Sequence, residues 1–317
     1  MLQVTRSELE NVAEICDTLI EKDPAIDPFC SRTAWQLSYH DAFAPQRPVW
    51  FARDADDFVM LAENEHDSLG SYFSPLEDMW GFGSPLVGAG AGALLAAALK
   101  QSRRAALLSG LPLDRARIAP LVRPLEDRFV IYQTTPTTRR AASLSGGLAA
   151  WLARRSQSFR RNLRSASRRV SAAGITIRRV ADAELSRSYE RVLDVERRSW
   201  KGRSGTGTNT EPMCSFYSGM WPRLQAKGQL RLLFAEREGE AVGYLHGGLI
   251  GGHFRGLQLA FDDEERALGL GNVLQLEMLK WLCEVGAGTY DLGSFSDYKS
   301  RWAEDGLTTF GLLIKPL

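Results

Sequence analysis

Cysteine is scarce and scattered in this chain of 317 residues. Cys16, Cys30, Cys214 and Cys283 form no Cys-x-x-Cys pair, and none has a histidine at ligand spacing. Neither a disulfide framework nor a metal site is therefore expected, and a reducing compartment suits the usage. Long apolar runs are missing too. The longest, Pro85 to Leu99, is too short and too rich in Gly and Ala to span a bilayer; it reads as a buried helix from about Gly88 to Lys100. The first eleven residues hold Arg6, Glu8 and Glu10 and no hydrophobic stretch, so no secretory signal is expected and a cytoplasmic location is. The most telling absence is of acid. From Arg139 to Arg179 there are eleven arginines and no Asp, Glu or Lys, which puts +11 on a chain whose net charge is +1.

What remains is the composition of an ordinary globular protein, 44% hydrophobic and 24% charged, long enough for about two domains. Residues 1–140 read as a mixed α/β unit. Helical spacing runs from Ser7 to Lys22 and from Thr33 to Phe43. Strand patterns cover Pro48 to Arg53 and Asp57 to Asn64, and strand, helix and strand follow across Ala105 to Gly110, Leu113 to Leu121 and Phe129 to Thr134. The polar stretch Thr134 to Arg140 is the expected linker. Residues 141–174 form an Arg-rich connecting helical segment, with Phe159, Leu163, Ala166 and Val170 on one face and arginines on the others.

Residues 175–317 show a regular order. Ile175 to Val180 is a strand, Asp182 to Trp200 a helix, Lys201 to Thr210 a Gly/Ser/Thr-rich loop, and Glu211 to Lys227 a helix. A hairpin turns through Glu238-Gly239, joining Leu230–Glu236 to Ala241–Ile250, and Phe254 to Asp262 is the next strand. Arg266-Ala267-Leu268-Gly269-Leu270-Gly271 then opens a helix from Asn272 to Glu284. A strand, Thr289 to Gly293, a helical turn, Asp297 to Ala303, and a last strand, Thr308 to Leu313, complete the pattern.

A strand, an Arg-x-x-Gly-x-Gly loop and a helix make a site suited to a pyrophosphate. Glycines let backbone N–H groups come close, and the helix start carries unpaired donors and about half a positive charge. The spacing is too short for a dinucleotide fingerprint. This loop, placed after the fourth strand of a β-α-α-β-β-β-α-β-α-β order, resembles the acyl-CoA loop of the GNAT acyltransferases. Phe159-Arg160-Arg161-Asn162-Leu163-Arg164, Glu196-Arg197-Arg198-Ser199-Trp200-Lys201-Gly202, and Asp291-Leu292-Gly293 with Tyr298-Lys299-x-x-Trp302 resemble the CelD-type and FemAB-like branch. That resemblance implies an α/β fold of two tandem GNAT-like units with mixed central sheets, the second of them catalytic. It also implies an N-acyltransferase that uses acetyl-CoA or a longer acyl-CoA.

In such a protein Arg266, Gly269, Leu270, Gly271 and Asn272 would hold the donor phosphates. Leu259 and Ala260 would lie along the acyl arm, on a strand that splays from its neighbour. Tyr298 would protonate the leaving thiolate, or simply pack. No base stands out: Glu196, His246 and Asp291 are candidates, and loss of the amine proton to water is another route. Trp200, Lys201, Tyr244, Gln258, Lys299 and Trp302 are the candidate substrate contacts, with the loop after Lys201 as a lid. The acceptor expected is an amine on a sugar, lipid or other envelope compound. Arginines 154 to 169 suggest a polyanion: donor phosphates, a membrane surface at the inner face, or tRNA. The last leaves a FemAB-like aminoacyl-tRNA transferase as the alternative donor chemistry, and a scaffold without catalysis is a third reading.

Overall fold

Thr5 sets the start of the first helix. Its hydroxyl accepts from the Glu8 amide, and the Glu8 carboxylate accepts from the Thr5 amide, so two orphan donors are satisfied together. The computed structural model describes all 317 residues. They fall into two units, Met1–Thr138 with Leu307–Leu317, and Arg139–Gly306. In chain order the first unit holds β1 (Leu2–Val4), α1 (Arg6–Glu21), α2 (Thr33–Phe43), β2 (Val49–Asp54), β3 (Asp57–His66) and β4 (Gly70–Ser74). It continues with β5 (Leu86–Val87), α3 (Ala91–Ser102), β6 (Ala105–Pro112), α4 (Arg115–Val122) and β7 (Phe129–Gln133). The second unit takes up most of β8 (Thr137–Ser143), then α5 (Gly147–Ala153), α6 (Gln157–Ala172), β9 (Ile175–Arg179), α7 (Leu185–Arg198), α8 (Trp200–Arg203) and α9 (Met213–Ala226). β10 (Leu230–Arg237), β11 (Glu240–Ile250), β12 (His253–Phe261), α10 (Leu270–Glu284), β13 (Thr289–Gly293) and α11 (Asp297–Ser300) follow. Strand β14 (Glu304–Pro316) ends the chain, and its residues from Leu307 onward belong to the first unit.

In unit 1 the strands run β1-β2-β3-β4-β6-β14-β7, antiparallel but for the parallel β4–β6 pair. Val59, Leu61, Phe73, Leu95, Leu99 and Leu108 lie in its core. The glycine run Gly88–Gly92, a weak candidate ligand loop, leads into α3 but is already filled. Asp57 accepts from the Gly90 amide at 2.8 Å and Asp23 from the Gly88 amide at 3.0 Å. A Cβ on Gly90 would lie 2.4 Å from the Asp57 carboxylate.

In unit 2 the strands run β9-β10-β11-β12-β13-β8, again antiparallel except for one parallel pair, β12–β13. The β10–β11 hairpin turns at Glu238 and Gly239, with φ of 51° and 87°. Two positive φ values match the right-handed twist of the strands they join. Helix α10 is apolar on most sides, and Leu270, Val273, Leu274, Met278, Leu279 and Leu282 are all buried. It is therefore a central helix, and α6 lays Leu163, Ala166 and Val170 into the same core.

Four expectations are corrected here. The linker at Thr134 to Arg140 runs into β8, whose Ala141–Ser143 pair with Asp291–Thr289. Its polar look misleads because Arg139 is buried against Asp291. The Arg-rich segment is not a separate connector but an integral layer of unit 2, and the last strand lies in unit 1. The apolar face of α6 is spent on the core, so α6 cannot lie on a bilayer as an amphipathic anchor.

The arginine excess also resolves. Arg139 pairs with Asp291, Arg140 with Asp305, Arg154 and Arg155 with Glu304, Arg178 with Glu184 and Glu236, and Arg179 with Glu284. Arg160 donates to the Leu152 and Arg155 carbonyls. Arg161, Arg164, Arg168 and Arg169 have no carboxylate partner and stand exposed on α6.

Candidate active site

The cleft of unit 2 comes from a mismatch in strand pairing. β12 pairs with β11 along its length, but with β13 only from His253 to Arg255. From Gly256 onward its other edge leaves β13, and the backbone groups there face open space. A bulge opposite His246–Gly247 places the extra residue, Leu257, where the strands part. The resulting cleft, of about 760 Å³, is lined by Gly256 to Phe261, the start of α10, Gln275, Tyr290, Tyr298, Lys299, Trp200 and Lys201. That volume is in the range of small-molecule sites.

One end of the cleft is a helix start. Residues Asp263–Leu268 form a short 3-10 helix, and Gly269 caps α10 at φ 75°, a conformation that costs glycine little. A Cβ on Gly271 would stand 2.9 Å from the Phe261 ring, so the backbone there is as bare as the strand beside it requires. Of the first-turn amides of α10, Asn272 donates to the Gly269 carbonyl at 3.0 Å, while those of Leu270 and Gly271 precede the first intrahelical bond and stand at the positive end of the dipole. Two cations flank them. Arg266 is exposed and pairs with Asp263 at 2.8 Å. Arg169 reaches in from α6, its Nη2 3.4 Å from where a Gly269 Cβ would be, and donates only to Ser165 Oγ. This end fits a diphosphate.

The other end holds a chain of polar side chains. Lys201 Nζ donates to Gln258 Oε1 at 2.8 Å and lies 3.5 Å from Glu196 Oε1. Gln258 Nε2 donates to the Tyr217 hydroxyl. Glu196 is fully buried, with Oε2 accepting from the Tyr244 hydroxyl at 2.7 Å and Oε1 from the Thr208 amide at 3.0 Å. Burial lowers the Lys201 ammonium pKa, against the pull of Glu196. Lys299 Nζ donates to the Ser294 carbonyl at 3.1 Å, and burial, then Arg255, lowers its pKa as well. Tyr298 stands at the cleft wall, 44% exposed as a residue. Burial of its phenol pushes the pKa up to about 12, against a hydrogen bond from Gln275.

Leu259, Ala260, Arg266, Gly269, Gly271, Asn272, Trp200, Lys201, Gln258, Tyr298 and Lys299 thus lie together around one cleft. Leu270 is the first residue of α10, and its side chain is in the core. The base candidates are not at the cleft. Glu196 and Tyr244 are sealed behind Lys201. His246 is buried among Trp221, Tyr217 and Tyr244, and burial followed by the Lys201 charge holds its pKa down to about 3. Asp291 is bound by Arg255 at 2.8 Å, by Arg139 at 3.2 Å and by the Gly293 amide at 2.6 Å. Trp302 is buried and stacked on Trp151. The expected lid is pinned, because Thr208 donates to Glu196 and Gly202 packs against the Glu196 carbonyl. Gln275 and Tyr290 were missed as cleft residues, and Arg169 was named only within arginines 154 to 169. Arg169 had a signal in the unpaired charge of its helix; Gln275 and Tyr290, which bond each other, had none.

Residues 157–300 match the family model described as an acetyltransferase (GNAT) domain. No curated protein matches the chain. Among solved structures, a conserved protein of unknown function from Bacteroides thetaiotaomicron aligns over 99% of both chains, with a TM-score of 0.65 and 12% identity. FemX aligns over 98% of this chain and 96% of its own, with a TM-score of 0.61 and 14% identity. A C-terminal domain from Agrobacterium fabrum assigned to lysylphosphatidylglycerol synthetase aligns over 97% of this chain and 92% of its own, with a TM-score of 0.61 and 10% identity. At these identities the likeness is one of fold.

Proposed function

We propose that unit 2, in which residues 157–300 match an acetyltransferase (GNAT) domain, is a transferase that moves an acyl group from a coenzyme A thioester directly to an amine. The observation that carries this reading is the parting of β12 from β13 beside the bare start of α10. An open strand edge offers amide partners to the pantetheine arm, along Leu259 and Ala260. The first turn of α10, with Arg266 and Arg169, offers donors and charge to the diphosphate. A bound acyl-CoA supplies the activated carbonyl.

The remaining chemistry falls to the protein. Tyr298 stays protonated at all ordinary pH and donates its O–H toward the leaving sulfur. Because thiols ionise near 8.5, far below this phenol, it acts as a hydrogen-bond donor that stabilises negative sulfur, not as a strong acid. No carboxylate or imidazole lines the cleft, so the amine releases its proton to water. Unit 1 takes no donor, since its own carboxylates fill the start of α3. No helix is long and apolar enough to cross a membrane, and we place the protein in the cytoplasm with its donor.

A second reading has one observation in its favour. Arg161, Arg164 and Arg168 extend the positive surface beyond Arg169, away from a diphosphate site, and suit a larger polyanion such as an aminoacyl-tRNA donor or an anionic lipid surface. Calorimetry with acetyl-CoA and a long-chain acyl-CoA, on wild type and Gly271→Asp, separates the readings. Micromolar binding lost in the variant supports the CoA site. No binding of any CoA ester sinks it and turns the donor to aminoacyl-tRNA.

A further inference from the structure

The charged side chains that line the cleft, Lys201, Lys299 and Arg266, are all of one sign. Lys201 and Lys299 line it, and neither a carboxylate nor an imidazole does. Behind them the negative groups are outnumbered. Asp291 faces both Arg139 and Arg255, with Lys299 nearby, and Glu196 is the sole acid near Lys201. Both acids are spent: Glu196 holds two short hydrogen bonds besides Lys201, and Asp291 holds the Gly293 amide. Each ammonium, by contrast, has three donors. Lys299 uses one on a backbone carbonyl, and no carboxylate lies within ion-pair distance of it.

An acceptor that is only an ammonium ion would enter this space against repulsion and would find no acid to receive it. We propose that the acceptor carries an acidic group, a carboxylate or a phosphate, beside its amine, and that Lys201 and Lys299 dock that group while the amine faces the splayed edge of β12. The inference rests on the acyl-transfer reading of the same cleft and narrows its acceptor. Burial supports it: both lysines are held in a setting that disfavours their charge, which an arriving anion would relieve. Trp200, half exposed at the cleft wall, offers a flat apolar face to the rest of such a molecule.

The test uses matched amines that differ in one acid. Glucosamine 6-phosphate is set against glucosamine, and glycylglycine against glycylglycinamide, each titrated calorimetrically into the full chain saturated with CoA. At least one acid-bearing member should bind about tenfold or more tighter than its partner. Which pair responds tells phosphate from carboxylate. Lys299→Met and Lys201→Met should each erase the preference, while Lys299→Arg keeps it. The thermal unfolding midpoint reports that each variant is folded, and absence of CoA binding in wild type would reveal failure of the donor reading instead. Equal binding of both members in both pairs, tighter binding of the neutral ones, or a preference that survives both Met variants would overturn the proposal.

Discussion

Replacing His246 by Phe should make the protein less sensitive to acid. In the fold the imidazole is wholly buried between Tyr244, Trp221 and Tyr217, and its Nδ1 has no partner. Burial, then the Lys201 charge, lowers its pKa to about 3. In the unfolded chain it titrates near 6.5. The unfolded state therefore binds the extra proton first as pH falls. Stability is complete above about 6.5, declines below it, and stops declining through this group near 3. Between pH 7.5 and 5.0 the loss from this one residue is about 2 kcal/mol, set by the tenfold steps between 5.0 and the unfolded pKa. Phe keeps the ring that stacks on Tyr244 and has no proton to take up. Any packing cost of the new ring, roughly 1–3 kcal/mol, applies at both pH values and cancels in the difference. Urea unfolding of wild type and variant at the two pH values gives the comparison. Equal losses in both proteins would refute the reasoning, and would restore His246 as a group able to ionise and hence to act as a base.

Tyr298→Phe should lower kcat by roughly 10- to 100-fold with donor affinity unchanged, since the lost O–H acts on the leaving sulfur. With its phenol held up to about 12, wild-type kcat should show no falling limb from this residue below pH 10; a limb near 9 that disappears in the Phe variant would contradict it. Asp57→Asn should cost about 1–2 kcal/mol of stability, because the carboxylate caps α3 through the Gly90 amide. It should leave one CoA bound per chain by calorimetry, and a second binding event would show that the start of α3 is a donor site after all.

Much of this was legible in the residues. The Arg-x-x-Gly-x-Gly loop announced a bare helix start because glycine spacing reflects backbone approach, which is local. Strand order in 175–293 was legible for the same reason, each strand being bounded by its own turns. The base candidates were not. Glu196, His246 and Asp291 looked available because each is ionisable and lies on or next to a matched motif or strand. What disarms them arrives from afar: Tyr244 and Thr208 on Glu196, an aromatic cage on His246, two arginines from distant strands on Asp291. The linker at Thr134 to Arg140 failed likewise, since an arginine in a strand reads as surface until its partner Asp291, more than a hundred residues away, is known.

The two units apply one scheme with opposite results at the helix start. Each has a parallel strand pair that is short, and each sends a glycine-rich turn into an apolar helix. In unit 1 the orphan amides meet Asp57 and Asp23, and Arg117 secures Asp23 at 2.6 Å, so the anion the helix dipole calls for is part of the chain. At α10 no carboxylate takes that place. Arg169 and Arg266 stand there instead, adding to the positive end that a helix start already presents. Asp263 balances Arg266, but Arg169 has no carboxylate partner, and a cation beside a helix N-terminus is unfavourable without a counter-ion. Unit 2 thus keeps a locally destabilised arrangement that a diphosphate would relieve, whereas unit 1 relieves it internally and gains stability in place of a ligand.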